Sequence, residues 1–170
     1  MMKVAILLDN LVEEVEFLYP YYRLKEEGYE VISIAFKEGE YKGKNGMILK
    51  AERSIKENDW DYFDAVFIPG GYAPDHMRRH KEIVDFIKEM NKRGKVIGAI
   101  CHGPWILASA EIIKDKKVTS FYSIKDDILH AGGIYTGNPV EIDGNIITGT
   151  DPSALPQMMK EFIKMLKLRP

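Results

Sequence analysis

The sequence has one cysteine in 170 residues, Cys101. An intrachain disulfide is therefore impossible, and any thiol chemistry rests on this one side chain. No apolar run approaches the roughly 20 residues that a membrane helix needs. The longest, such as Val4 to Leu8, fit a buried strand. The N-terminus passes from Met1-Met2-Lys3 straight into that run, with no signal-peptide hydrophobic region or small-residue cleavage site. The expected location is the cytoplasm. An excess of one charge is also lacking: Lys and Arg number 24 against 26 Asp and Glu, a net charge of -2. That leaves no global field for nucleic acid or an acidic membrane surface. Internal repeats, low-complexity tracts and Pro/Ser-rich linkers are missing too, and one domain is expected over residues 1–170.

What is present is the mix of a globular chain, 45% hydrophobic and 29% charged. A chain of this length buries roughly 70% of its unfolded surface and needs no metal or disulfide staple. Strand-like and helix-like segments alternate from end to end. Val4 to Leu8, Ala65 to Ile68 and Lys95 to Ile100 are apolar runs suited to strands covered on both faces. Glu13 to Glu27 carries Val15, Leu18, Tyr19 and Tyr22 at helical spacing, with Pro20 inside and Gly28 as a stop. His80 to Arg93 and Ser153 to Lys167 read as amphipathic helices, and Lys37 to Lys50 as a hairpin excursion. Asp143-Gly144-Asn145 marks a hairpin turn. The pattern predicts an α/β protein, a mostly parallel sheet with helices on both faces. In such sheets the ligand site lies beyond the carboxyl ends of the strands. Three ends stand out: Asp9-Asn10, Gly70-Gly71 and Cys101-His102.

Cys101 follows a strand and opens a helix, with Ala99 and Gly103 two residues to either side. Small flanking residues are what a tight nucleophile elbow demands, and a helix start favours the thiolate. The alternative is a buried, inert core cysteine. His102 is a candidate base or cationic partner, against a helix-start histidine satisfied by backbone. The amides of Gly71 and His102 are candidates for an oxyanion hole, against a simple tight turn. Glu13, Glu14 and Glu16 crowd the first helix start, where acids suit the dipole; one pointing at Cys101 would act as a general acid/base. Asp75 opens the next helix and is a candidate to orient His102. His76 and His80 are four apart, but neighbouring Met77, Arg78 and Arg79 favour a solvated basic face over a metal site. No metal and no cofactor are expected.

Ala99-Ile100-Cys101-His102-Gly103-Pro104 resembles the elbow of the PfpI family of intracellular cysteine peptidases. That family sits in the superfamily of a protein deglycase and the class I glutamine amidotransferases. Val12-Glu13-Glu14-Val15-Glu16 with Tyr19-Pro20, Ile68-Pro69-Gly70-Gly71-Tyr72-Ala73-Pro74, and Ser123-Ile124-Lys125-Asp126-Asp127 continue the resemblance over nearly the whole chain. It implies a flavodoxin-like three-layer sandwich. It implies Cys101 as nucleophile, Glu13 as the acid touching its sulfur, His102 as second catalytic residue and Gly71 as oxyanion donor. In the peptidase branch a Glu from a neighbouring subunit orients the His; Asp75, one methylene shorter, stands at the matching position. Where the family often has Ser-Arg before a proline, this chain has Thr148-Gly149-Thr150-Asp151-Pro152, so a cation near the site is replaced by an acid. The implied activity is a Cys-dependent hydrolase, a peptidase or a deglycase/glyoxalase, acting on peptides, modified proteins or small aldehydes. The alternative is a redox-sensing stress protein or chaperone whose Cys101 is oxidised instead. A homodimer or homohexamer is implied as the assembly.

Overall fold

The computed structural model describes residues 1–169. The strands are β1 Lys3–Leu7, β2 Glu30–Ala35, β3 Gly39–Lys42, β4 Ile48–Ala51, β5 Arg53–Ser54, β6 Ala65–Ile68, β7 Val96–Ile100, β8 Lys117–Val118, β9 Ile134–Tyr135, β10 Val140–Asp143 and β11 Ile146–Gly149. The helices are α1 Glu14–Glu26, α2 Asp59–Tyr62, α3 Ala73–Met77, α4 Lys81–Lys92, α5 Pro104–Ser109, α6 Lys125–His130 and α7 Leu155–Lys167. Seven strands form the main sheet in the order β10-β11-β7-β6-β1-β2-β5. All pairings in it are parallel except β10 with β11, joined through the Asp143-Gly144-Asn145 turn. Every residue of β6, β7 and β11 is buried, as both-face coverage of an apolar strand requires.

The chain steps from β1 to β2 through α1 and, in the opposite direction, from β6 to β7 through α3 and α4. Right-handed crossovers in opposite directions put their helices on opposite faces. Accordingly α1 packs with α7 on one face, and α4 with α5 on the other. The Phe67 ring meets Phe162 of α7 edge-on at 5.7 Å, and Gly98 of β7 leaves the room for that ring. This is the expected three-layer α/β sandwich. The turn of direction between β1 and β6 opens a crevice at their carboxyl ends.

In α1 the structure reverses the expected facing. The helix runs unbroken through Pro20, but its buried side is Glu14, Glu16, Phe17, Pro20 and Leu24. Val15, Tyr19 and Tyr22 are exposed. Hydrophobicity alone picks the outward stripe because two of the inward positions are carboxylates. The structure also holds short elements that the sequence pattern did not mark, β5, α2 and β9, and the helix after Cys101 spans Pro104–Ser109. Among the described residues, no helix is long and apolar enough to cross a membrane.

Candidate active site

Cys101 lies between β7 and α5 with φ at +61°, a left-handed conformation rare outside glycine. Its N–H donates to the Gly149 carbonyl at 3.0 Å, and its own carbonyl accepts from Phe121 N–H at 2.9 Å. The strained turn is thus held from β11 and from the segment after β8. A Cβ on Gly103 would sit 2.7 Å from the Ile68 carbonyl oxygen, so the elbow needs glycine there. The Cys101 side chain is 9% exposed, at the floor of a cleft of about 200 Å³ walled by Glu13, Glu16, Lys44, Tyr72, His102 and Phe121.

Gly71, at φ +72°, forms an isolated antiparallel bridge with Val12. Tyr72 N–H donates to the Leu11 carbonyl at 2.9 Å, and Lys44 N–H to the Val12 carbonyl at 2.9 Å. Residues 11–13 therefore stitch the Gly-Gly turn to the loop of the β3–β4 hairpin. The backbone N–H groups of Gly71 and His102 lie near enough to the Cys101 sulfur to favour its thiolate.

The carboxyl group beside the thiol is Glu16, which corrects the expectation for Glu13. Glu16 has no exposed surface. Its Oε1 accepts the Gly70 N–H at 2.8 Å, while Oε2 is buried without a partner. Burial first, opposed by that amide, pushes its pKa up to about 8. Protonation suits a buried Oε2 that has no partner, and the Glu16 carboxyl group stands close enough to Cys101 for each to shift the other's titration. Glu13 lines the same cleft but pairs with Lys44 at 2.7 Å. Glu14 turns the other way and fastens the hairpin, accepting from Asn45 N–H at 2.8 Å, Asn45 Nδ2 at 2.9 Å and Met47 N–H at 3.2 Å. The three acids thus have three separate tasks.

The thiol itself departs from the expected low pKa. Burial, and next the Glu16 carboxylate, push it up to about 12, while the two amides and the Lys44 ammonium favour the thiolate. A six-residue α5 adds little field against burial. Below about pH 8 the Glu16 charge, and its push on the sulfur, is gone.

His102 Nδ1 lies 3.2 Å from Cys101 Sγ. Its ring stacks on Phe121 at 5.3 Å and meets Trp105 edge-on at 5.0 Å. Burial, then Lys44, holds its pKa below the ordinary histidine value, so the ring is neutral at neutral pH. Asp75 does not orient it within the chain: that carboxylate pairs with Arg79 at 2.6 Å and is half exposed. Nε2 faces Ser123 Oγ at 3.3 Å instead. Asp151 lines the cleft as the substitution for a cation suggested, and its hydrogen bonds with Ser153 hold it below the usual carboxyl range. His76 Nδ1 lies 3.9 Å from Asp9, and the His80 ring stacks on Phe36 at 4.0 Å. Lys44 and Ser123 escape sequence reasoning, one in a polar hairpin loop and the other in a short turn. Glu16 was one of three acids at the helix start, and its burial beside Phe17 and Pro20 was the signal to find.

Fold and site together define an α/β protein built around a thiol on a strand–turn–helix elbow. The family model described as the DJ-1/PfpI family matches residues 2–165. "Deglycase PfpI" of Pyrococcus furiosus is 42% identical over 166 residues, covering 98% of this chain and 100% of that protein. "Protein/nucleic acid deglycase 2" of Escherichia coli is 34% identical over 167 residues, covering 96% of this chain and 97% of that one. Among solved structures, a two-domain protein of Anabaena variabilis with DJ-1/ThiJ/PfpI-like and ferritin-like domains aligns with TM-score 0.95 at 37% identity, covering 98% of this chain and 48% of that one. Drosophila melanogaster DJ-1beta aligns with TM-score 0.89 at 25% identity, covering 96% and 90%. The chain belongs to the DJ-1/PfpI family.

Proposed function

We propose that this protein is a Cys101-dependent hydrolase that removes small carbonyl adducts from amino or thiol groups of proteins. One observation carries the reading: a buried thiol faces two backbone N–H groups, a neutral imidazole and a carboxyl group that keeps its proton to about pH 8. In the reaction, the Sγ proton passes to His102 Nδ1 as sulfur bonds to the carbonyl carbon. The carbonyl electron pair moves to oxygen, where the N–H groups of Gly71 and His102 receive it. Glu16, rather than Glu13, is the proton carrier beside the sulfur. The freed amine or thiol leaves protonated, and water releases the carbon fragment. For an α-oxoaldehyde adduct that fragment is a 2-hydroxy acid. The former aldehyde carbon gives up the amine or thiol and bonds to sulfur. It loses its C–H proton by way of an enediol to the neighbouring carbonyl carbon. The first carbon becomes a thioester that water cleaves and the second the hydroxyl carbon, so only water is consumed.

Relatives named deglycases support this reading, and so does a cleft of about 200 Å³, sized for a side-chain adduct rather than an extended peptide. The peptidase alternative needs a carboxylate reaching His102 from a neighbouring subunit, since within one chain Asp75 pairs with Arg79. We infer a cytoplasmic homodimer or larger homo-oligomer, supported by the exposed stripe Leu11, Val15, Tyr19 and Tyr22 on and before α1. No nucleic acid or membrane partner is proposed.

The test uses peptides of lysine, arginine or cysteine modified with methylglyoxal, followed by mass spectrometry for the unmodified peptide and lactate. The protein is expected to accelerate both, and the iodoacetamide-alkylated protein is not. Equal decay with active and alkylated protein would sink the hydrolase. A two-oxygen adduct on Cys101 after mild peroxide, with no turnover, would establish the redox-sensing alternative in its place.

A further inference from the structure

We propose that Asp151 is a specificity-determining residue, which makes the cleft over Cys101 favour adducts carried beside a lysine or arginine side chain. This specificity rests on the hydrolase reading above. The cleft does not end at Phe121. A second hollow of about 250 Å³ adjoins it, walled by Tyr122, Tyr135, Pro139 and Thr150 among others, and Phe121 and Asp151 line both. The two shared residues are fixed to the elbow through the backbone. Phe121 N–H donates to the Cys101 carbonyl at 2.9 Å. Cys101 N–H donates at 3.0 Å to the carbonyl of Gly149, at the end of β11 and two residues before Asp151. Thr150 N–H donates to the Pro139 carbonyl at 3.1 Å, which ties the far wall to the same segment. A group reacting at Cys101 therefore has Asp151 beside it and the second hollow next to that.

The charge at this junction is negative and unbalanced. Glu13 and Lys44 offset each other at 2.7 Å on the opposite wall. Asp151 belongs to none of the ion pairs among the described residues. Its Oδ1 accepts from Ser153 N–H at 2.9 Å and from the Ser153 hydroxyl, bonds that favour the carboxylate and hold it in place. The Lys125 ammonium lies over the Tyr135 ring, 5.7 Å from its centre, but lines neither hollow. The walls beside Asp151 are aromatic. The Phe121 and Tyr122 rings stand 4.7 Å apart, and the Tyr135 hydroxyl donates to the Ser120 carbonyl at 3.3 Å, which fixes that ring. Aromatic faces attract cations, and a long basic side chain can lay its stem on them while its head meets a carboxylate. An acidic side chain in the same place would meet Asp151 as a like charge.

Two measurements on the full-length protein test this. In the first, Cys101 reacts with a cationic (trimethylammonium) or an anionic (sulfonate) ethyl methanethiosulfonate. The ratio of the two rates cancels any change in the thiol itself, and the single cysteine gives one signal. Asp151→Asn keeps an oxygen for Ser153 and removes the charge. Its cation-to-anion ratio is expected to fall about fivefold, the scale of a half-exposed ion pair, and that of Asp151→Arg to fall further. Salt at about 0.5 M is expected to lower the wild-type ratio toward that of Asp151→Asn. The second measurement compares peptides bearing a methylglyoxal adduct on cysteine, flanked by trimethyllysine (a cation that methylglyoxal leaves unmodified) or by glutamate. Wild-type kcat/KM is expected to be about fivefold higher or more for the cationic flank, and Asp151→Asn to show no preference. Equal reagent ratios in the wild type and Asp151→Asn, or a peptide preference that survives the substitution, would overturn the proposal. If no peptide is turned over, the hydrolase reading falls, and the reagent ratio still decides whether Asp151 selects cations.

Discussion

Glu16→Gln is expected to be more stable than the wild type at pH 8, with the difference shrinking as pH is lowered to 5. Glu16 holds its proton in the folded protein to about pH 8, while in the unfolded chain it releases it near the ordinary carboxyl value. Between those limits the folded state binds more protons than the unfolded state. Stability is therefore complete below the unfolded value and is lost as pH rises toward the folded one, by up to about 1.4 kcal/mol per pH unit. Gln is neutral throughout and can keep the bond to Gly70 N–H, so its curve lacks this slope. Other titrating groups, such as buried Asp9, act alike in both proteins and cancel in the difference. Urea midpoints at pH 5 and 8 measure it. Parallel curves for the two proteins would mean that Glu16 is ionised in the fold.

Gly71→Ala is expected to cost about 3 kcal/mol, combining left-handed backbone strain with overpacking. A Cβ there would lie 2.4 Å from Glu13 N and 2.5 Å from the Leu11 carbonyl oxygen. Both are backbone atoms of the segment that ties the Gly-Gly turn to the hairpin, and neither can swing aside. Gly94→Ala is the control: its φ is +67° but nothing lies within 4 Å, so only strain of about 1 kcal/mol is expected. Ala keeps the backbone N–H, but relief of the clash moves the turn that carries it, and a displacement of about 1 Å is expected to cost the folded variant about 100-fold in turnover. Equal destabilisation at both positions, measured by urea unfolding, would show that the close approach at Gly71 is accommodated.

The strands were legible because an apolar run between turn residues has little choice but burial, and β6 falls at Ala65–Ile68 as read. The elbow was legible because Ala99 and Gly103 leave room where the backbone must fold tightly. The assignment within Glu13, Glu14 and Glu16 was not legible from type or spacing. Glu13 precedes the helix in an extended conformation, whereas Glu16 sits in its first turn facing the core. One turn of helix thus separates a surface ion pair from a buried acid. The thiol's environment was misjudged for a related reason: the sequence displays the helix start that favours a thiolate but not the depth of burial that opposes it. Asp75 reads as a partner for His102 by position, yet Arg79 one turn on captures it. Ser123 reaches the ring only because the turn after β8 folds back over the elbow.

The most direct measurement is the rate of Cys101 alkylation by iodoacetamide from pH 5 to 10, in the wild type and in Glu16→Leu. The single cysteine makes the signal unambiguous. If Cys101 is the reacting group and protonated Glu16 its donor, the folded wild type reacts at pH 7. Glu16→Leu, lacking the donor, is then expected to react about tenfold more slowly or worse below pH 8, where Glu16 is protonated in the wild type, as loss of a hydrogen bond to a charged sulfur implies. Reaction of the wild type only on unfolding, or a Glu16→Leu protein that reacts as fast as the wild type, would contradict the account.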